Sequence, residues 1–352
     1  MLLKKIDSIR KKIMPKLTQN IGVSHFEKKV LGTKKTKINS ILICRPNQRL
    51  GNLLLTTPLL QELITTFPDC KIDIIVKGNL ANQVFKEYSN IQNIIILPRK
   101  PFNELVKYLK IFFSVKFKRY DLVINGEKES LSGKILTYLS KAKYKIYGSL
   151  EHQSNLMSKV DFQHMAKNSV YNFRYYLDQI GYLSSKSEVS GLDLKLTKSE
   201  ILKGKEILEN LVPDLNKKTI LIFTYATGSK CYSKDWWNSF YEKLKFRYSD
   251  SYNILEILPV ENVSQIDFKT TSFYSKDIRE IASVITNASL FIAADSGIMH
   301  LSSASKSTTL GLFSGGREFL YKPYSNRSFS FNTGKKSIES LIIEVDETLS
   351  QI

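Results

Sequence analysis

The chain has 352 residues, of which 42% are hydrophobic, and its 52 Lys and Arg against 33 Asp and Glu give a formal net charge of +19. This length suits two domains that each bury a core, and the three scattered cysteines exclude a disulfide framework and a cysteine-based zinc site. The cations are mostly lysines, which favours a phosphate-bearing partner over base-specific recognition of nucleic acid. A lysine-rich composition without a dedicated partner is the alternative.

The first 37 residues form a basic N-terminal extension. Leu2, Ile6, Ile9 and Ile13 recur at helical spacing with lysines between them, which predicts an amphipathic helix suited to an anionic bilayer surface. A solvated extension without regular structure is the alternative. No apolar run reaches the roughly 20 residues that span a bilayer, and the start lacks the features of a secretory signal. We therefore expect a cytoplasmic protein that is either soluble or bound to a membrane surface.

Residues 38–185 alternate short apolar strands with helical stretches, which predicts a parallel sheet covered by helices on both faces. The first strand, at residues 41–44, leads into a polar loop and then a helix that Pro58 is expected to kink near its start. The composition turns to Ser, Lys and Glu after Gly181, which predicts a linker region at residues 186–217.

Residues 218–352 repeat the alternation of strands and helices. We therefore predict an α/β fold in which two Rossmann-like domains face each other across a cleft. Ligands of such sheets bind beyond the carboxyl ends of the strands. Polar loops follow predicted strands at residues 47–52 in the first half and at residues 295–297 in the second.

The turn formed by Asp295, Ser296 and Gly297 follows an apolar strand and begins a helix. Unpaired backbone N–H groups and the helix dipole make such a turn a site for an anion such as phosphate. His300 lies about one helical turn further on and offers another donor to the same anion. An ordinary βαβ unit with a polar turn is the alternative.

A second loop, after the strand predicted at residues 219–223, also suits a diphosphate. Thr227 and Gly228 are small and rich in donors, while Lys230 and Lys234 supply charge. The alternative is a surface loop that carries lysines. The sequence has no P-loop, no GxGxxG and no Asp-x-Asp, so we expect neither a triphosphatase nor a dinucleotide oxidoreductase, and no metal site.

Three segments together resemble glycosyltransferase family 9, the family of the ADP-heptose:lipopolysaccharide heptosyltransferases. Residues 41–60, with Gly51 and a Thr-Thr-Pro run, are similar to its opening strand, glycine turn and helix. The Lys-Asp-Trp-Trp run that begins at Lys234 resembles its Lys-x-Trp segment, and residues 294–301 resemble its Asp-Ser/Thr-Gly-x-x-His signature. The likeness runs from about residue 40 to residue 345.

The resemblance implies a GT-B fold and an inverting, metal-independent transfer without a cofactor. A sugar, in this family a heptose, would pass from a nucleoside diphosphate, expected to be ADP, to lipopolysaccharide or another anionic cell-surface glycan. Residues 38–185 would form the acceptor side and residues 218–352 would bind the nucleotide sugar. The candidate donor-binding residues are Thr227, Gly228, Lys234, Glu261, Asp295, Ser296, Gly297 and His300, and the candidate acceptor-side residues are Asn47, Arg49 and Gly51.

One position departs from the family pattern. Many members carry an aspartate directly after the first-loop glycine as the catalytic base, and this chain has Asn52 there. An amide cannot accept a proton at neutral pH, and loss of a general base typically costs roughly 10²–10⁴-fold in rate. Three explanations stay open: Glu127 or Glu129 is the base, the acceptor activates itself, or the chain is a weak or inactive homologue that binds sugar nucleotides.

Overall fold

The computed structural model describes residues 37–98, 104–127, 130–148 and 161–352. These residues divide into two compact units, each built on a parallel sheet. The amphipathic helix predicted for the basic extension and the candidate base Glu129 lie outside the described residues.

The described chain alternates strands and helices through its length. The strands are β1 Ser40–Cys44, β2 Lys71–Lys77, β3 Ile91–Leu97, β4 Arg119–Asn125, β5 Lys141–Ile146, β6 Lys218–Phe223, β7 Tyr252–Ile257, β8 Ser272–Phe273, β9 Leu290–Ala294, β10 Thr309–Phe313 and β11 Ser328–Asn332. The helices are α1 Leu50–Leu54, α2 Thr57–Thr66, α3 Leu80–Val84, α4 Leu105–Phe117, α5 Leu131–Leu139, α6 Met165–Gln179, α7 Lys198–Leu211, α8 Lys234–Tyr248, α9 Ile278–Thr286, α10 Gly297–Ala304, α11 Glu318–Tyr321 and α12 Ile338–Ser350.

Of the described residues, the first unit takes in 37–48, 59–98, 104–127, 130–148, 161–162 and 167–189. Its five strands are all parallel, in the order β3-β2-β1-β4-β5. The central strand β1 is an apolar run whose residues 41–44 are fully buried, as expected for a parallel strand covered on both faces. The kink predicted near Pro58 is a complete interruption of the helix. Leu55 and Thr56 are not helical, and they separate α1 from α2.

The second unit takes in Arg49–Pro58, Gln163–Ala166 and Ser190–Ile352. Its six parallel strands have the order β11-β10-β9-β6-β7-β8. The sequence did not predict the edge strand β11, in which two phenylalanines alternate with serines between polar turns. Together the two sheets establish the predicted α/β class with two Rossmann-like domains.

Residues 190–217, which lie within the linker region predicted at 186–217, are part of the second unit. Arg279 of α9 is 4% exposed and holds Glu200 of α7 through two hydrogen bonds of 2.6 and 2.8 Å. A Cβ at Gly204 would lie 2.2 Å from the carbonyl carbon of Ser283, so α7 and α9 cross at very close range. The ion pair and this crossing fix α7 to α9.

Candidate functional site

The strand orders place the predicted loops where ligands of such sheets bind. In each unit the order reverses beside a central pair, β1 with β4 and β6 with β9. Crevices outside the carboxyl ends of such pairs are the usual ligand sites. Residues 45–52 follow β1, residues 224–230 follow β6 and residues 295–297 follow β9.

The turn after β9 has the geometry that the sequence predicts. Ser296 is the N-cap of α10, and its hydroxyl accepts a hydrogen bond from the Met299 backbone N–H at 3.2 Å. Other N–H groups of a first helical turn have no partner within the helix, so they can hold an anion. Asp295 is 8% exposed, and its carboxylate lies 2.5 Å from the Lys230 ammonium. The turn after β9 is thereby joined to the loop after β6.

Two glycines let α1 cross α10 at close range within the second unit. A Cβ at Gly51 would lie 2.8 Å from Cδ2 of His300 and 3.5 Å from Cα of Gly297. A Cβ at Gly297 would lie 3.1 Å from Cβ of Leu50 and 3.3 Å from the Gly51 nitrogen. Side chains at either glycine would force the helices apart. The segment that sequence analysis placed on the acceptor side therefore packs directly on α10, which begins at residues 295–297, the turn that we call the anion turn after its predicted role.

His300 lies under this crossing. It is 3% exposed, and among the described residues its Nδ1 has no hydrogen-bond partner. Burial, with smaller effects from His164 and Lys230, lowers the pKa of His300 from 6.5 to about 3. The imidazole is therefore neutral at neutral pH. It can offer one N–H donor to a phosphate but no ionic charge.

The depressed pKa of His300 predicts an acid-dependent loss of stability. Between pH 6.5 and about 3 the unfolded chain takes up a proton at this residue that the folded chain does not. Stability therefore falls as the pH is lowered through this window. In His300→Gln, which cannot titrate, the unfolding temperature should fall less steeply with pH than in the wild type. Identical slopes for the two proteins in thermal scans would contradict the buried neutral state.

Lys230, in the loop after β6, and Lys234, the first residue of α8, have different surroundings. Lys230 contacts Asp295, and its Nζ also lies 5.6 Å from the centre of the Tyr321 ring. The Lys234 ammonium contacts the carboxylate of Asp267, and both side chains are 56% exposed. Lys230, which the family resemblance does not single out, is therefore the lysine at the anion turn.

Thr227 and Gly228 lie between β6 and these lysines. Both are exposed. Gly228 has a φ of +66° at the start of a short 3-10 turn, Gly228–Lys230, a conformation that favours glycine. The turn brings Lys230 back towards Asp295.

Glu256 is a buried carboxyl group that sequence reasoning missed. It is 0% exposed on β7, and burial raises its pKa. The hydroxyls of Thr224 and Ser264 donate to its two oxygens at 2.5 and 2.7 Å. The same hydroxyls accept hydrogen bonds from backbone N–H groups of the loop after β7, at Gln265 and Ile266 among others.

This network fixes the loop that carries the candidate Glu261. Glu261 is itself exposed. The only sequence signal for Glu256 is a single acid within an otherwise apolar strand, a pattern too common to be diagnostic.

The carboxyl edge of the first unit holds a different set of groups. Arg45 directly follows β1, is only 2% exposed and contacts the carboxylate of Glu127 after β4. A Cβ at Gly126 would lie 3.3 Å from Cβ of Arg45, so glycine leaves room for the arginine. Asn47 accepts a backbone hydrogen bond from Lys77 at 3.0 Å. The carboxylate of Glu127, one of the two alternative bases, thus forms an ion pair with Arg45.

Arg49 and Asn52 lie with α1 in the second unit. Arg49 is exposed and precedes the helix, and the carbonyl of the partly buried Asn52 accepts from the Thr56 hydroxyl at 3.0 Å. Asn52 is adjacent to Gly51, the residue in contact with His300. The second unit therefore unites Arg49, Gly51 and Asn52 with the donor candidates, whereas Asn47 and Glu127 belong to the first unit. Across the described ranges, no group of three or more His, Cys, Asp or Glu is arranged to hold a metal ion.

Comparison with known proteins gives relatives over most of the chain. The model of "Glycosyltransferase family 9 (heptosyltransferase)" matches residues 266–340. Lipopolysaccharide heptosyltransferase 3 of Escherichia coli is 22% identical over 296 residues, which cover 81% of this chain and 86% of that protein. The protein of the same name from strain K12 is 21% identical over 304 residues, with 81% and 85% coverage.

Solved structures share the fold. A family 9 glycosyltransferase from Veillonella parvula superposes with a TM-score of 0.72 at 15% identity, covering 91% of this chain and all of that one. The E. coli heptosyltransferase WaaC with ADP gives 0.62 at 14% identity, with 88% and 99% coverage. The E. coli ADP-heptose lps heptosyltransferase II gives 0.63 at 12% identity, with 89% and 99% coverage. The expected GT-B fold and the resemblance to family 9 are both confirmed.

Proposed function

We infer that this chain, a glycosyltransferase that resembles family 9, moves a heptose from an ADP-linked donor to lipopolysaccharide or another anionic cell-surface glycan. Its similarity to lipopolysaccharide heptosyltransferase 3 over 81% of the chain supports this choice of donor and acceptor. The net charge of +19 favours an acceptor that bears phosphates. The proposal includes peripheral contact with the cytoplasmic face of the inner membrane, where such an acceptor would be anchored.

The crossing of α1 and α10 is the observation that carries the proposal. It joins the position of the family base, Asn52, to the helix that begins at the anion turn. In an inverting transfer the acceptor oxygen attacks the anomeric carbon as the diphosphate leaves from the opposite face. Negative charge then grows on the departing phosphate, where fixed donors stabilise it most. The first N–H groups of α10, the neutral His300 and Lys230 are the groups proposed for this role, with no metal ion.

Transfer itself is tested by mixing the protein with ADP-heptose and a lipid A–core acceptor and measuring ADP release. We expect release that requires both substrates. A panel of other nucleotide sugars, screened by thermal shift and then by nucleotide release, tests the choice of donor. Binding without release of nucleotide from any member of the panel would contradict the proposed activity.

Variants of Lys230, in the loop after β6, and of Lys234, at the start of α8, test which of the two lysines binds the donor. Lys230→Ala should weaken binding of ADP-heptose by roughly tenfold or more, because a hydrogen bond to a charged group contributes about 1.5–3 kcal/mol. Lys234→Ala should weaken it only if ligand binding releases this lysine from Asp267. Titration calorimetry measures both, with Lys245→Ala, an exposed lysine of α8, as the matched control. Unchanged affinity in Lys230→Ala would remove that lysine from the donor site.

The base is tested at Asn52. If turnover is limited by a missing carboxylate, Asn52→Asp should raise kcat by up to roughly 10²–10⁴-fold. The exposed Asn216→Asp, between α7 and β6, adds the same charge elsewhere and should leave kcat unchanged. A loss of activity in Asn52→Asp alone would mean that the amide has its own role, such as a hydrogen bond to a sugar. Glu127→Gln then asks whether the carboxylate beside Arg45 is the base.

A further inference from the structure

The exposed side of α4 carries a line of apolar side chains. Leu105, Leu109, Phe113 and Phe117 recur every four residues, so they follow one side of the helix. Their exposed fractions run from 42% at Leu109 to 68% at Phe117, and Val106 beside them is 69% exposed. The rings of Phe113 and Phe117 stack with centroids 6.2 Å apart. We refer to these five residues as the apolar stripe of α4.

The stripe is separate from the face with which α4 packs on its own sheet. Val115 is 3% exposed in the core of the first unit, and Tyr108 and Ile111 are partly buried against the same cluster. Anchoring α4 therefore uses one face and leaves a second apolar face exposed to solvent. A surface helix normally carries polar residues there. Contiguous exposed apolar surface of this kind marks an interaction site.

Basic side chains surround the stripe. Lys110 and Lys116 of α4 are exposed, as are Arg119 and Lys141 on the strands that follow. The Lys141 ammonium lies 5.8 Å from the centre of the Phe117 ring. Within residues 104–119 the sequence has a single acid, at the first position. The partner of this surface should therefore combine apolar material with negative charge.

A shallow pocket of about 590 Å³ opens next to the end of α4. Its lining includes Arg119, Lys141, Lys143 and Lys145. The acid in the lining, Asp121, already accepts hydrogen bonds from two backbone N–H groups, both at 2.9 Å. Most of the lining lies at the starts of β4 and β5, the edge opposite to the carboxyl ends where ligands of parallel sheets bind, and Lys143 and Lys145 extend it along β5. The proposed sugar transfer therefore leaves these cations without a role.

We propose that the apolar stripe of α4 and the adjacent basic pocket form a docking surface for a bilayer of anionic phospholipid. The stripe enters the boundary between headgroups and acyl chains, and the pocket receives headgroup phosphates. Helices with basic and aromatic residues bind membranes in this way, lying in the plane of the interface. Each basic residue near such a surface strengthens binding by roughly fivefold.

The positive charge of this surface favours a bilayer over a second copy of the chain as its partner. A symmetric pairing through this surface would bring the same lysines of two copies together, whereas headgroups supply negative charge throughout. Among the described helices none is long and apolar enough to cross a membrane. Docking through α4 is measured as binding to vesicles, without donor or acceptor. Its result is therefore independent of whether the proposed sugar transfer occurs.

The test is flotation of the full chain with two kinds of vesicle, phosphatidylcholine alone and phosphatidylcholine mixed with phosphatidylglycerol. The wild type should bind the anionic vesicles far more tightly. The double variant Phe113→Ser/Phe117→Ser should lose at least about tenfold in partitioning, since two large apolar side chains no longer leave water. Phe246→Ser is the matched control, because this phenylalanine of α8 is 92% exposed but outside the surface.

A second pair of variants tests the charge. Lys110→Glu/Lys116→Glu should weaken binding to the anionic vesicles by at least about tenfold, while Lys245→Glu on α8 should not. Equal binding of both kinds of vesicle by the wild type, or wild-type binding by both double variants, would overturn the proposal. So would stripe variants that turn a dimer into a monomer in vesicle-free sedimentation while binding vesicles normally. Transfer to an acceptor without acyl chains should stay unchanged in every variant.

Discussion

Gly51→Ala is expected to reduce sugar transfer by roughly 10²-fold or more, because displacement of about 1 Å at a reacting site can cost that much. The added methyl group would lie 2.8 Å from the ring of His300, which is buried and cannot swing aside. On the opposite helix, a Cβ at Gly297 would lie 3.1 Å from Cβ of Leu50, so α10 is close to α1 there as well. The crossing of α1 and α10 must therefore open, moving Asn52 away from the anion turn. ADP release from ADP-heptose in the presence of acceptor measures the loss.

The control for this variant is another glycine-to-alanine change in the same unit. A Cβ at Gly316 would have no neighbouring atom within 4 Å, so Gly316→Ala should keep wild-type activity. Binding of ADP should also weaken in Gly51→Ala if His300 contacts the nucleotide. Undiminished transfer in Gly51→Ala would show that the close approach of the two helices has no part in the reaction.

Trp237→Ala should lower the free energy of unfolding by about 3–5 kcal/mol, the usual cost of deleting a large buried aromatic side chain. Trp237 is 0% exposed in the core of the second unit. Its ring lies 5.2 Å from that of Trp236, 5.9 Å from that of Phe240 and 6.1 Å from that of Tyr232, centre to centre. Urea unfolding followed by circular dichroism gives the change.

Trp236→Ala provides the comparison within the same motif. Trp236 stacks on Tyr232 at 4.3 Å but is only partly buried, so its removal should cost clearly less stability. If Trp236→Ala lowered the free energy of unfolding more than Trp237→Ala does, Trp236 would be the tryptophan that contributes more to stability. A selective loss of donor binding in Trp236→Ala would instead assign the outer ring to the site.

The elements with strong local signals could be predicted from the sequence. The strand β9 is an uninterrupted apolar run that ends in Asp-Ser-Gly, and α10 begins at Gly297 as predicted. Alternation of strands and helices also sufficed to predict two Rossmann-like domains. The signal for each single strand, turn or helix lies within about ten residues of chain, so periodicity and turn chemistry reveal it.

The parts that could not be predicted depend on distant contacts. Spacing alone cannot tell that Lys230 rather than Lys234 contacts Asp295. A lone Glu256 in an apolar strand gives no sign of the two hydroxyls that hold it. The assignment of α1 to the second unit requires a contact between Gly51 and His300, which no local pattern encodes.

The discontinuous second unit also has a consequence for biosynthesis. At roughly 5–20 residues per second, α1 leaves the ribosome on the order of ten seconds or more before α10 is made. During that interval β1 can pair with β2 and β4, while α1 has no α10 to pack against. A fragment that starts at Ser190 would likewise leave Gly297 and His300 uncovered. Pairing of α1 with α10 is therefore a late event in folding, and it requires two segments that are about 240 residues apart in the sequence.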